Sequence, residues 1–147
     1  MSIDKRNSEG YPDPTAYEAL SLIEKEERAL RAFRPIVYIC SPYAGDIEKN
    51  VKATRVYSRF AVDRGFIPIA PHLLFPQFMD DTNPQERELG LFFGNALMSK
   101  CSEVWVFGSV ISPGMQAEIK RARWKNYRLR YFTEDLEEVQ DVYHISF

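Results

Sequence analysis

Cysteine is scarce in this chain: Cys40 and Cys101 are the only two, far apart. That excludes a disulfide framework and a C-x-x-C redox or zinc motif. It leaves buried free thiols in a reducing compartment as the expectation. Histidine also occurs twice. No His, Cys or Asp cluster has metal-ligand spacing, so no metal is expected. Glycine is limited to seven residues. None builds a Walker-type phosphate loop or a G-x-G-x-x-G turn, which disfavours an NTPase and a dinucleotide dehydrogenase, and no cofactor is expected. A G-x-S-x-G nucleophile elbow is absent as well, which argues against a Ser-His-Asp hydrolase. No apolar run approaches the roughly 20 residues of a membrane helix. The opening MSIDKRNSEG lacks the apolar segment of a secretion signal. A large charge of one sign is missing too, with a net −2. This argues against a membrane-surface protein or a general nucleic-acid binder. The expectation is a cytoplasmic protein with neither membrane nor nucleic acid as partner.

What is present is an ordinary globular composition, 45% hydrophobic and 27% charged over 147 residues. A chain of this size buries about 70% of its unfolded surface, enough for one core. Residues 1–12 read as a flexible start. Residues 13–34 read as an N-terminal helix running to about Phe33, with Leu20, Ile23, Leu30 and Phe33 on one side. From residue 35 to 147 the pattern alternates. IVYIC at 36–40 is a short buried strand. SPYAGD at 41–46 is a turn. A helix follows to Arg64, stopped by Gly65, with Val51, Val56, Phe60 and Ala61 on its buried side. FIPIA at 66–70 is a second strand, and Pro68 within it suggests an edge or a bulge. PHLLFPQFMDD is a loop or a short helical turn. Asn83, Pro84 and Glu86 then open a helix with capping-box spacing. Its expected apolar face is Leu89, Phe92, Phe93, Ala96 and Leu97, with Gly90 and Gly94 permitting close approach.

The third strand, Val104–Phe107, leads into the stretch on which the reading turns. Gly108 and Ser109 open a turn, Ser112 stands at a helix N-cap and Pro113 at the first helical position. Glu118 lies one turn beyond Gly114 on the same face, so its carboxylate overlooks a gap near the free N–H groups of the helix start. RLRYF at 128–132 alternates like a half-exposed strand, and 133–140 reads as a last helical turn. The order predicts an α/β fold: a three-layer Rossmann- or flavodoxin-like parallel sheet of four to five strands with an extra N-terminal helix. In such sheets ligands bind beyond the carboxyl ends of the strands. That rule selects Ser41, Tyr43 and Asp46 after the first strand, and His72 after the second. After the third it selects Gly108, Ser112 and Gly114, leading into Glu118, and after the fourth Thr133 and Glu134. Each also has a structural explanation as a turn, a cap or a satisfied loop residue.

Taken together, IVYICSPYAGD, GFIPIAPHLLFP, the helix holding Asn95, SEVWVFG and SPGMQAE at 112–118 resemble the nucleoside 2-deoxyribosyltransferase-like superfamily, in its small bacterial and phage branch. The resemblance spans Pro35 to Phe132. It implies a nucleoside or nucleotide N-glycosidic hydrolase or transferase, with Glu118 as nucleophile and a glycosyl-enzyme intermediate. Ser112 and Gly114 would line the pocket. It also implies a homodimer or larger homo-oligomer, because relatives complete their pockets with a neighbouring subunit. Asn95 stands where the characterised enzymes usually carry an Asp that handles the leaving base. Asn can hydrogen-bond but cannot act as an acid. A non-catalytic nucleotide-binding protein on the same fold is therefore the alternative. An NAD glycohydrolase, whose cationic nicotinamide needs no acid to leave, is a weaker third.

Overall fold

A computed structural model of the chain describes residues 14–30 and 33–140, in two units, Met1–Arg34 and Pro35–Phe147. The first unit holds helix α1, Pro14–Leu30. Glu24 and Arg28, one turn apart, form an ion pair at 3.7 Å, worth a few tenths of a kcal/mol at most on an exposed helix. Phe33, expected as the last apolar residue of this helix, lies outside it. The expected flexible segment 1–12 and the apolar HISF at 144–147 lie outside the described residues.

The second unit runs β1 (Ile36–Cys40), α2 (Ile47–Asp63), β2 (Ile67–Ile69), α3 (Pro71–Leu74), a 3₁₀ turn (Phe75–Gln77), α4 (Pro84–Met98), β3 (Glu103–Phe107), α5 (Pro113–Trp124), β4 (Arg128–Phe132) and β5 (Glu138–Val139). The sheet order is β2-β1-β3-β4-β5. The first four strands are parallel, and β5 pairs antiparallel with β4. The fold is therefore α/β with a mostly parallel five-stranded sheet. Pro68, which has no N–H to give a ladder, sits as expected on the edge strand.

Alternation along the strands sorts the core onto two faces. Val37, Ile39, Trp105, Phe107 and Phe132 pack against Tyr57, Phe60 and Ala61 of α2. Tyr38, Cys40, Val104, Val106 and Tyr131 pack against Met98 of α4 and Met115, Ile119 and Ala122 of α5. Every residue of β3 is buried, because both of its faces are covered. Each large side chain so enclosed stabilises the fold by about 1.5–3 kcal/mol.

The caps fall where the sequence puts them. Asn83 Oδ1 accepts from the N–H groups of Gln85 and Glu86. Ser112 Oγ accepts from Met115 N. Gly65 adopts φ +84° just past α2.

Several details depart from expectation. Glu86 does not close a capping box on Asn83; its Oε2 accepts from Asp80 N instead. Val56 is exposed, and Thr54 and Tyr57 take the buried side of α2. On α4 the buried residues are Gly94 and Met98. The expected apolar face is mostly open, with Leu89 46% and Phe92 66% exposed. The reason is steric: a Cβ on Gly94 would stand 3.4 Å from the Tyr38 hydroxyl, so the helix lies glycine-side down. β4 does not alternate, since Tyr131 and Phe132 are both buried between covered faces and a fifth strand. Residues 133–140 form no helical turn. Thr133 Oγ1 accepts from Asp135 N and Glu137 N, and Leu136 takes φ +68°. That tight turn reverses the chain into β5.

Candidate functional site

Three segments converge at the carboxyl ends of the central strands, on the α5 face. The loop after β1 carries Tyr43, and Asn50 secures that loop by donating through Nδ2 to the Tyr43 and Ala44 carbonyls. Pro71 starts α3 directly after β2 and puts His72 in its first turn. The α5 helix brings Glu118, the sixth residue after its Ser112 cap. Tyr43 and His72 stack with ring centroids 4.8 Å apart and planes 22° from parallel. His72 Nε2 stands 3.7 Å from Glu118 Oε1. Tyr43, His72 and Glu118 are thus brought together.

Beneath them lie two side chains of β1. Burial pushes the Tyr38 hydroxyl well above its ordinary pKa, and the Glu118 charge adds to the shift. Burial and the same charge push the Cys40 thiol up as well. Both neighbours therefore stay neutral beside the carboxylate near pH 7. Glu118 itself is 15% exposed in its side chain, and its Oε2 is buried with no hydrogen-bond partner. Arg121, one turn further along α5, also has a buried and unpartnered Nε. Buried polar atoms are paired in the great majority of cases, so these two stand out.

The remaining predicted residues have other positions. Ser41 is buried, and its hydroxyl pairs with Thr54 of α2 at 2.9 Å, on the sheet face away from Glu118. Asp46 is exposed and caps α2 by accepting from Lys49 N. Gly108 turns the chain out of β3 at φ +108°, its N–H bonded to the Phe132 carbonyl. Ser112 spends its hydroxyl on the cap. A Cβ on Gly114 would meet nothing within 4 Å, which agrees with open space at the start of α5. Asn95 is half-buried next to Gly94 and makes no hydrogen bond with Glu118 or His72.

Sequence reasoning missed Tyr38 and Cys40 as neighbours of the site; Gly94 and Glu134 it had singled out, for close approach and for a strand-end position. Glu134 Oε1 accepts from the Ser109 N–H at 2.7 Å and from the Ser109 hydroxyl at 2.6 Å. These bonds hold its carboxyl below the usual range and tie the loop before α5 to the β4–β5 turn. The pairing of positions 38 and 40 on one face of β1 was available, but not which helix covers that face.

Among the described residues no group of His, Cys, Asp and Glu is arranged to hold a metal, and no helix is long and apolar enough to cross a membrane. Both cysteines are free. Three of the basic residues near α5 have partners. Arg130 bonds Glu138 at 2.7 and 2.9 Å, Arg128 lies 3.8 Å from Glu103, and Arg123 donates to the Tyr131 hydroxyl. A shallow apolar hollow of about 370 Å³, lined by Ser58, Pro68, Ile69, Ala70, Leu73 and Leu74, lies along β2 and contains none of the clustered residues.

Fold and site together define an α/β protein whose strand ends present one nearly buried carboxylate beneath a stacked Tyr–His pair. The chain belongs to the family described as a domain of unknown function (DUF7768), whose model matches residues 35–132. No curated protein matches it.

Proposed function

We propose that this protein cleaves the N-glycosidic bond of a nucleoside or nucleotide, as a hydrolase or transferase, with Glu118 as nucleophile. The observation that carries this reading is the state of Glu118: a side chain 15% exposed whose Oε2 is buried and accepts no hydrogen bond. Leaving such an oxygen unpaired costs about 1–3 kcal/mol, a cost that supports a functional rather than a structural role for the carboxylate. In the proposed step a lone pair of a Glu118 carboxylate oxygen bonds to the anomeric carbon. The electron pair of the C–N bond leaves with the base, which takes up a proton unless it was already cationic. Water, or a second base in a transferase, then attacks the glycosyl ester and regenerates the carboxylate.

The superfamily resemblance supports the same chemistry and a Rossmann-like description of the sheet. Free thiols suit a cytoplasmic setting. The exposed Leu91 and Phe92 of α4, with Phe78 before it and Ile67 on the edge strand, support a homo-oligomer joined through this side. One observation favours a second reading: Asn95 supplies no acid for the base, which fits a protein that binds a nucleotide without turning it over. NAD, or another substrate with a cationic base, would remove that objection.

The test is incubation with a panel of nucleosides, 5′-nucleotides and NAD. Released base is followed by chromatography, and the protein by intact mass. Glu118→Gln should bind as before and lose turnover by about a thousandfold or more. Full turnover by Glu118→Gln would end the nucleophile reading. Binding with no release by the wild type would establish the second one.

A further inference from the structure

The two oxygens of Glu118 have different surroundings. Oε1 faces His72 Nε2 at 3.7 Å; Oε2 has no partner. The imidazole that faces Oε1 is itself held, by the Tyr43 ring at 4.8 Å and by its place in the turn that Pro71 begins. Tyr43 in turn is held by Asn50, which bonds its carbonyl at 2.9 Å. A chain of contacts therefore runs from α2 through the β1 loop and α3 to one oxygen of one carboxylate.

We infer that His72 is a positioning residue: braced by Tyr43, it holds Oε1 of Glu118 and so fixes the rotation of the carboxylate that meets the ligand. This rests on the reading of Glu118 as nucleophile. A carboxylate with both oxygens free rotates about its last bond, and one with both oxygens bonded is a weaker nucleophile. An anchor on one oxygen avoids both losses. The 3.7 Å separation is long for a hydrogen bond, and such contacts commonly tighten when substrate binds.

The competing role for His72 is to protonate the leaving base, the task that Asn95 cannot perform. The geometry argues against it. In retaining glycosyl transfer the nucleophile and the acid flank the scissile bond with about 5–5.5 Å between their groups. Three heavy atoms of substrate do not fit in a gap of 3.7 Å. Two other acids are already engaged: Asp46 caps α2, and Asp80 is bonded to Thr82.

The two roles separate on a pair of probes, 7-methylguanosine and guanosine, each also as its 5′-monophosphate. The cationic base of the first leaves without an acid; the neutral base of the second needs one. His72→Phe keeps a ring to stack on Tyr43 and removes Nε2. It should lower kcat about a hundredfold on both probes, with KM within about threefold of wild type. His72→Gln, which restores an N–H near the position of Nε2, should recover about tenfold of that loss. Tyr43→Leu should give a smaller loss on both. A loss confined to guanosine would assign His72 the acid role. A change in KM alone would make it a substrate contact. Unchanged kinetics in His72→Phe beside an inactive Glu118→Gln would overturn this inference and leave the nucleophile reading intact. A wild type inert to all four probes and to the wider panel would overturn both. If His72→Phe fails to fold, the comparison of His72→Gln and Tyr43→Leu across the two probes decides.

Discussion

On the α2 face of the sheet, Phe107 stacks between Tyr57 at 4.3 Å and Phe132 at 5.1 Å, with Trp105 5.0 Å from Phe132. The one polar atom of that cluster's indole, Trp105 Nε1, donates to Glu103. On the α5 face, Tyr38 and Cys40 lie among Met98, Met115 and Ile119, beside a carboxylate with a bare oxygen. Both faces exclude water. The first contains interlocking rings with little left unpaired; the second contains sulfur, small residues and an unsatisfied acceptor. The difference teaches a division of labour. Rigid aromatic packing secures one side of β1 and β3, so the other side can carry a group that destabilises the fold. Sulfur-rich, weakly directional packing also leaves room for that group to adjust.

Substitutions on the two faces test the division, and the largest effect should come from the aromatic side. Trp105→Ala should destabilise by about 3–5 kcal/mol, read as a shift in urea midpoint. Glu118→Gln should change stability by less than about 1 kcal/mol in either direction, because it keeps the side chain's shape and the charge it removes has one buried oxygen unpaired and the other in a long 3.7 Å contact with His72. Equal losses for the two would break the comparison.

Gly94 sets the spacing on the α5 face, where a Cβ would stand 3.4 Å from the Tyr38 hydroxyl. Gly94→Leu should overpack that contact and cost about 1–3 kcal/mol. It should also displace Tyr38 from beside Glu118. Gly94→Ala should be close to neutral, since the gain in helix propensity, about 0.5–1 kcal/mol, offsets a slight crowding. Differential scanning calorimetry of the two variants checks the pair; a strongly destabilised Gly94→Ala would mean that the helix has no freedom to shift.

Much of this architecture was readable in the sequence, and the unread part has one cause. Strands, caps and the edge position of β2 follow from local signals: short apolar runs, Asn83 and Ser112 before proline, Pro68 in a strand. Glu118 and His72 followed from the rule about strand ends. What was misjudged depends on which way an element lies. The ring-rich side of α4 looks buried by periodicity and is exposed, because Gly94 is what the hydroxyl of Tyr38 admits. Ser41 looked like a ligand group, yet alternation along β1 sends it toward Thr54. The hairpin at 133–139 was hidden because a Thr-centred turn and a polar two-residue strand carry no hydrophobic period.

Cys101 offers a smaller effect at high pH. Burial pushes its thiol up to about 11, against roughly 8.5 for a free cysteine. The folded state therefore holds this proton where the unfolded chain has lost it. Stability should be intact below about pH 8.5 and fall as pH rises toward 11. The group is only partly buried, so solvent screening keeps the loss to about 1 kcal/mol. Cys101→Ala should flatten this limb of the stability–pH curve, followed by urea titration. An unchanged slope would show that Cys40 and the tyrosines produce it.

The smallest effect, and the most selective, concerns Glu134. It stands where the two faces meet. Its charge reaches Tyr57 on the α2 side, and its Oε1 takes two bonds from Ser109 in the loop that feeds α5. The Ser109 bonds lower its pKa, so its contribution is present above the ordinary carboxylate range and is lost as pH falls through the folded value. The group is almost fully solvated, and its net worth is a few tenths of a kcal/mol. Glu134→Gln should thus leave the urea midpoint nearly unchanged, because the aromatic face does not depend on it. The loop should respond differently. An amide oxygen is a weaker acceptor than a carboxylate, so the Ser109 N–H should exchange with deuterium several-fold faster. The start of α5, and with it Glu118, should then be less firmly placed. Exchange at Ser109 that matches wild type would show that the loop is held by its own backbone. Faster exchange across the buried strand β3 as well would mean that the two faces are not separable through this residue.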